Sequence, residues 1–114
     1  MLPRDHRLRG DQQFKKLARY GRSFFGSAVH LKMVQSGQQQ TRFAFVVSTK
    51  ISKRAVVRNT IRRRMREIIR KELPQLKSGF DVLLIARPKA ATLEYWELQG
   101  QIVELLNKAR LFSS

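Results

Sequence analysis

Between Lys50 and Lys71 the chain carries ten lysines and arginines and a single acid, Glu67. Arg58, Arg62, Arg66 and Arg70 recur every four residues. On a helix they form one ridge, with Asn59 and Arg63 alongside and Arg64 pointing elsewhere. Such a row works against the helix that bears it. Like charges at this spacing cost about 0.2–0.5 kcal/mol each, so three consecutive arginine spacings cost on the order of 1 kcal/mol. The fold has no need of them, which directs attention to a ligand. Guanidinium forks bind phosphate oxygens in pairs and stack on bases. Asn59 adds a neutral donor and acceptor suited to a sugar or base edge. Lys50, Lys53 and Arg54 carry the positive charge on to the N-terminal side.

The whole chain leans the same way. Its 114 residues hold 24 Lys+Arg against 8 Asp+Glu, a net charge of +16. That charge opposes compactness unless a polyanion relieves it. Nucleic acid, an anionic membrane and an acidic protein all qualify. The membrane reading is weak, because no stretch approaches the roughly 20 apolar residues of a span. The N-terminus also lacks the apolar run of a signal peptide. The chain contains no cysteine, so thiolate metal sites and disulfides are excluded. His6 and His30 are far apart, and no metal site is expected. A soluble, cytoplasmic protein is the default reading.

Hydrophobic content of 42% suits one small domain, residues 1–114, with an ordered core of about 7–110. A helix is expected over Asp11–Arg19, capped by Asp11 and stopped by Gly21, with Phe14, Leu17 and Ala18 at helical spacing. Residues 28–34 and 42–48 alternate as strands. The Ser36–Gln40 turn between them predicts an antiparallel hairpin. The basic helix runs from about Lys53, after an Ser52 cap, to Leu73 before Pro74. Val57, Ile61, Met65, Ile68 and Ile69 give it an apolar stripe. Residues 80–86, almost wholly apolar, suit a central strand covered on both faces. Thr92 is expected to cap a last helix over Leu93–Ala109. The class is α+β, helices layered on one small sheet.

Folded RNA fits better than DNA. There is no helix-turn-helix spacing, zipper heptad or zinc finger, whereas folded RNA is read through shape, phosphates and 2′-hydroxyls. A protein-only nuclease needs clustered carboxylates or an acid–base pair. The acids Asp5, Asp11, Glu67, Glu72, Asp81, Glu94, Glu97 and Glu104 are scattered, with Glu94 and Glu97 read as solvent-facing. No catalytic residue is expected in this chain. A basic ribosomal or other structured-RNA-binding protein with no role in cleavage is the alternative.

The run Ala55-Val56-Val57-Arg58-Asn59-Thr60-Ile61-Arg62-Arg63-Arg64-Met65-Arg66-Glu67 resembles the signature of the bacterial ribonuclease P protein family, Ala-Val-x-Arg-Asn-Arg-x-Lys-Arg-x-x-Arg-Glu. The resemblance continues through Arg7-Leu8-Arg9 with Phe14, Gly21-Arg22-Ser23, Val47-Ser48-Thr49-Lys50 and Asp81–Pro88, covering about Arg7 to Arg110. It implies the small subunit of a ribonucleoprotein endoribonuclease that removes the 5′ leader of precursor tRNA. The RNA subunit holds the active site and uses Mg²⁺; no obligate protein partner is expected. It also implies a four-stranded sheet flanked by three helices (α-β-β-β-α-β-α), with a short strand near Lys50. The implied βαβ crossover is left-handed, against the general rule.

The signature positions are Arg58, Asn59, Arg62, Arg63 and Arg66. With Lys50, Lys53, Arg54 and Arg70 they make the expected contact with the RNA subunit. Arg62 replaces a usual lysine, Thr60 a usual arginine, and Ser52 a common glycine. The implied leader cleft takes in Phe14, His30, Lys32, Ser48 and Lys50. Ala18 stands where a second helix aromatic is usual, and Lys32 where a strand aromatic is. This chain is therefore expected to hold the leader more by charge and less by stacking.

Overall fold

The structure, a computed structural model, describes residues 2–113. Helix α1 (Asp11–Tyr20) leads into strands β1 (Arg22–Phe25), β2 (Val29–Gln35) and β3 (Arg42–Val46); helix α2 (Ala55–Glu72), strand β4 (Phe80–Ala86) and helix α3 (Tyr95–Lys108) follow. Short 3-10 turns occupy Arg4–His6, Leu73–Gln75 and Pro88–Thr92. The result is one small α+β domain with a four-stranded mixed sheet.

The strands lie in the order β1-β2-β4-β3. The expected β2–β3 hairpin is absent: β4 sits between them, antiparallel to β2 and parallel to β3. The hairpin that does form joins β1 to β2. Residues 49–51, where the family resemblance implied a strand, are a turn, and Arg22–Phe25 supplies the fourth strand instead. The reason is connectivity. The turn after β3 must reverse the chain into α2, which crosses over and returns to a strand parallel to β3.

Register assigns every strand residue to a face. Met33, Val82 and Phe43 share one row and Leu31, Leu84 and Phe45 the next. These pack beneath α2 and α3 with Ile61, Met65, Ile68, Ile69, Leu98, Ile102, Leu105 and Leu106. Burying a large apolar side chain contributes roughly 1.5–3 kcal/mol, so this stripe is what holds the basic helix to the sheet. The opposite face carries a smaller cluster: Leu17 of α1 on Ala44 and Leu83, flanked by Leu8, Phe14, Val34, Val46 and Ile85. Helices thus cover both faces, which accounts for the apolar run Val82–Ala86 of β4.

Several helix starts differ from the sequence reading. Gly10, not Asp11, occupies the N-cap of α1, with φ of 99° and no side-chain cap. Arg54 is the N-cap of α2, and the Ser52 hydroxyl instead accepts the Arg54 N–H at 3.1 Å. The Thr92 hydroxyl donates back to the Lys89 carbonyl. Helix α3 begins two residues beyond the expected Leu93, behind a reciprocal capping box made by Glu94 and Glu97. The two acids read as merely solvent-facing therefore satisfy the first amides of that helix.

Candidate nucleic-acid interface

Helix α2 presents its apolar stripe inward and its cations outward. Ile61, Met65, Ile68 and Ile69 are buried; Arg58 and Arg62 are half-buried, and Asn59, Arg63, Arg66 and Arg70 are exposed. Lys50, Lys53 and Arg54 are exposed just before the helix. The ridge is not a row of free charges. Arg58 Nη1 donates to the Ser52 carbonyl at 2.9 Å, anchoring the first turn to the loop before it. Arg62 Nη1 donates to Asn59 Oδ1 at 2.8 Å. That bond engages the amide oxygen and turns the Asn59 –NH₂ into the outward group. Arg70 is gripped by Glu67, with Nε donating to Oε2 at 3.0 Å. This bond holds the Glu67 carboxyl below its ordinary pKa and raises that of Arg70. The unneutralised ridge is therefore Arg58–Arg62–Arg66. Arg64 turns away and donates to the Leu93 carbonyl at 3.3 Å.

At the outer edge of β3 the N-terminal segment, α1 and α2 enclose a cavity of about 380 Å³ lined by Phe14, Phe43, Phe45, Arg7 and Arg66 among others. Arg7 bridges Phe43 in parallel, and the Leu8 N–H donates to the Phe43 carbonyl at 2.8 Å. Phe14 and a ridge arginine thus share one concavity.

The remaining expected cleft residues lie elsewhere. His30 and Lys32 are on the α1 face of β2, paired with Ile85 and Leu83. Lys32 Nζ donates to the Ala18 carbonyl at 2.9 Å, a cation on the C-terminal end of α1. The His30 ring stacks on Phe25 at 4.1 Å between centroids, and its Nε2 is buried without a hydrogen-bond partner. Partial burial, then Lys32, then Arg87, lower its pKa from 6.5. Ser48 and Lys50 share the turn before α2, where the Ser48 hydroxyl accepts the Lys50 N–H at 3.2 Å.

Two features escaped the sequence reading. Arg42 and the buried Asp81 form a two-bond ion pair across β3 and β4, 2.8 and 2.9 Å; only the parallel register brings them together. Phe25 is exposed on β1, and two adjacent phenylalanines in a short run gave no alternation to mark a strand.

Among the described residues no group of three or more His, Cys, Asp or Glu is placed to hold a metal ion. Of the eight acids, moreover, Asp81 is engaged by Arg42, Glu67 by Arg70, and Glu94 and Glu97 by the helix cap. No helix in this part of the chain is long and apolar enough to cross a membrane.

Comparison with known proteins decides among RNA-binding readings. The Ribonuclease P family model matches residues 2–110. This chain belongs to the ribonuclease P protein family. It is 34% identical to the ribonuclease P protein component of Picosynechococcus sp., over 97% of this chain and 96% of that one. With the component from Pseudanabaena sp. identity is 37% over 97% of each. Among solved structures, the RNase P protein of Thermotoga maritima superposes with a TM-score of 0.81 at 26% identity, covering 90% of this chain and 96% of that one. That of Staphylococcus aureus shares the fold, with a TM-score of 0.87 at 23% identity and coverage of 95% and 98%. As a ribonuclease P protein the chain is the protein subunit of an endoribonuclease whose chemistry is carried by its RNA, in tRNA 5′ processing. The ribosomal alternative falls away.

Proposed function

We propose that α2 binds the ribonuclease P RNA through Arg58, Asn59, Arg62, Arg63 and Arg66, with Lys50, Lys53, Arg54 and Arg70 at the margins. The 5′ leader of precursor tRNA is held against the β3-edge cavity and the α1 face of the sheet, by Phe14, His30, Lys32, Ser48 and Lys50. The observation that carries this reading is the Arg58–Arg62–Arg66 ridge. It is fixed by an apolar stripe on the other side of the helix and shares a cavity with Phe14 at its Arg66 end. Guanidinium groups on a fixed spacing meet phosphates without reordering the chain.

The protein's part in catalysis is positional. Holding substrate and RNA subunit on one rigid surface turns a loose encounter into an oriented one. Its cations also offset phosphate repulsion between the two RNAs. The divalent ion that activates water, Mg²⁺ in this reading, is held by the RNA subunit and substrate; this chain's acids do not fit a metal site. The proposed location is the cytoplasm.

Reconstitution with a ribonuclease P RNA at low Mg²⁺ tests the reading. Leader removal should depend on the protein and fail when Arg58, Arg62 and Arg66 are changed together to alanine. Cleavage by RNA-free protein with Mg²⁺ would refute it.

A further inference from the structure

The Phe25–His30 pair extends the α1 face of the sheet to its far edge. Register places Val46, Ile85, His30 and Phe25 in one row across all four strands, from β3 to β1. Strands lie about 4.8 Å apart, so the row is on the order of 14 Å long. It begins beside the turn that leads into α2, since Ser48 follows two residues after Val46. Val46, Ile85 and His30 are half-buried, whereas Phe25 is 63% exposed. Cations flank the row on either side. Lys32 lies one row towards α1, and Arg87 one row away from it, its guanidinium donating to the Gly26 carbonyl at 3.3 Å.

One face of the Phe25 ring lies on His30, with 22° between the ring planes. The outer part of the ring is left to solvent. Single-stranded nucleic acid is held by this combination, aromatic faces for bases and cations for the backbone. A second observation agrees. Lys32 is tied to the end of α1, and Ala18, one helical turn after Phe14, offers no ring beside it.

We infer that Phe25, backed by His30, is a stacking platform for one unpaired base of the precursor tRNA leader, at the end of the track farthest from α2. This rests on the leader-binding reading above and adds the residue that supplies the stacking. Arg87 and Lys32 serve the phosphates on either side. Stacking on such a platform contributes about 1–3 kcal/mol per base by alanine substitution, which at 1.4 kcal/mol per decade is about five- to 150-fold in affinity.

The test uses the reconstituted holoenzyme and precursor tRNA with a long leader, a one-nucleotide leader or none. Phe25→Ala should weaken binding of the long-leader substrate by about tenfold and leave the other two unchanged. Phe25→Trp should restore it, and Phe25→Leu, which keeps apolar bulk, should not. Phe25→Trp placed in a Trp96→Phe background leaves one indole in the chain, whose fluorescence should be quenched by the long-leader substrate alone. Equal affinities for long and short leaders on both wild type and Phe25→Ala would remove the leader reading itself. Leader discrimination that Phe25→Ala leaves undiminished, or that Phe25→Leu preserves in full, would overturn only the platform. If Phe25→Ala does not fold, the Leu and Trp variants decide.

Discussion

His30 shows how a single side chain can report on its surroundings. Partial burial and the neighbouring Lys32 and Arg87 lower its pKa below 6.5. The unfolded chain therefore binds a proton at a pH where the folded chain does not. Its contribution to stability is complete above about pH 6.5 and is lost as pH falls through the lowered folded value. Thermal unfolding followed between pH 7 and 5 should show an acid-side decline that His30→Leu flattens; an unchanged slope would argue against it. The same variant removes a buried ring nitrogen that has no partner, so it should not lower stability at pH 7. Asp81, unlike the His30 ring nitrogen, is fully partnered. It is buried, and its two hydrogen bonds go to Arg42. Asp81→Ala strands a half-buried guanidinium and should cost about 3 kcal/mol in denaturant unfolding. Converting both partners to apolar residues, Arg42→Met with Asp81→Leu, should recover most of that loss.

Helix α2 is built from two surfaces with opposed effects on stability. Its stripe makes the helix fold: Met65 and Ile68 are fully buried, and Met65→Ala should cost about 2–5 kcal/mol. Its ridge is the surface proposed to meet the RNA subunit. Arg62 lies four residues from both Arg58 and Arg66, so Arg62→Gln relieves two repulsive spacings of about 0.2–0.5 kcal/mol each and gives up one bond to Asn59. The free protein should therefore unfold at no lower temperature, while affinity for the RNA subunit falls. The slope of log affinity against log salt should shrink by about 0.7–0.9 if one phosphate contact is lost. Loss of both stability and affinity would assign Arg62 to the fold. This division was legible from spacing alone, because a periodicity of 3.6 and a row of like charges are local signals. The strand order was not. Residues 28–34 and 42–48 alternate and are joined by a short polar turn, so a hairpin is the local answer. The interposed β4 arrives from more than thirty residues later, and no local pattern encodes its place. The signature residues were singled out by the family resemblance, whereas Phe25 and the Arg42–Asp81 pair follow from register.

At the scale of the molecule the charge of +16 is spread over a chain with a Cα radius of gyration of 13.1 Å. Three of the eight acids, Glu94, Glu97 and Glu104, lie on or cap α3, and Glu67 is taken up by Arg70. Self-repulsion at that density weakens the free fold, and an anion that binds only the folded state restores it by mass action. Polyphosphate or sulfate should raise the melting temperature steeply from low ionic strength. Sodium chloride at matched ionic strength should raise it less, since it screens without occupying the ridge. Equal effects from both salts would indicate screening alone.

The position of β4 also governs how the protein can be made. As the chain leaves the ribosome, β1, β2 and β3 emerge first, yet β3 has no partner among them. Its strand neighbour, which also joins it to the β1–β2 hairpin, is the last of the four to be synthesised. Until residue 86 is free, the apolar stripe of α2 faces an incomplete sheet while its arginines are already exposed beside ribosomal RNA. The domain therefore closes in one late step, and a nascent chain halted before residue 80 should remain protease-sensitive even though it carries the whole basic helix.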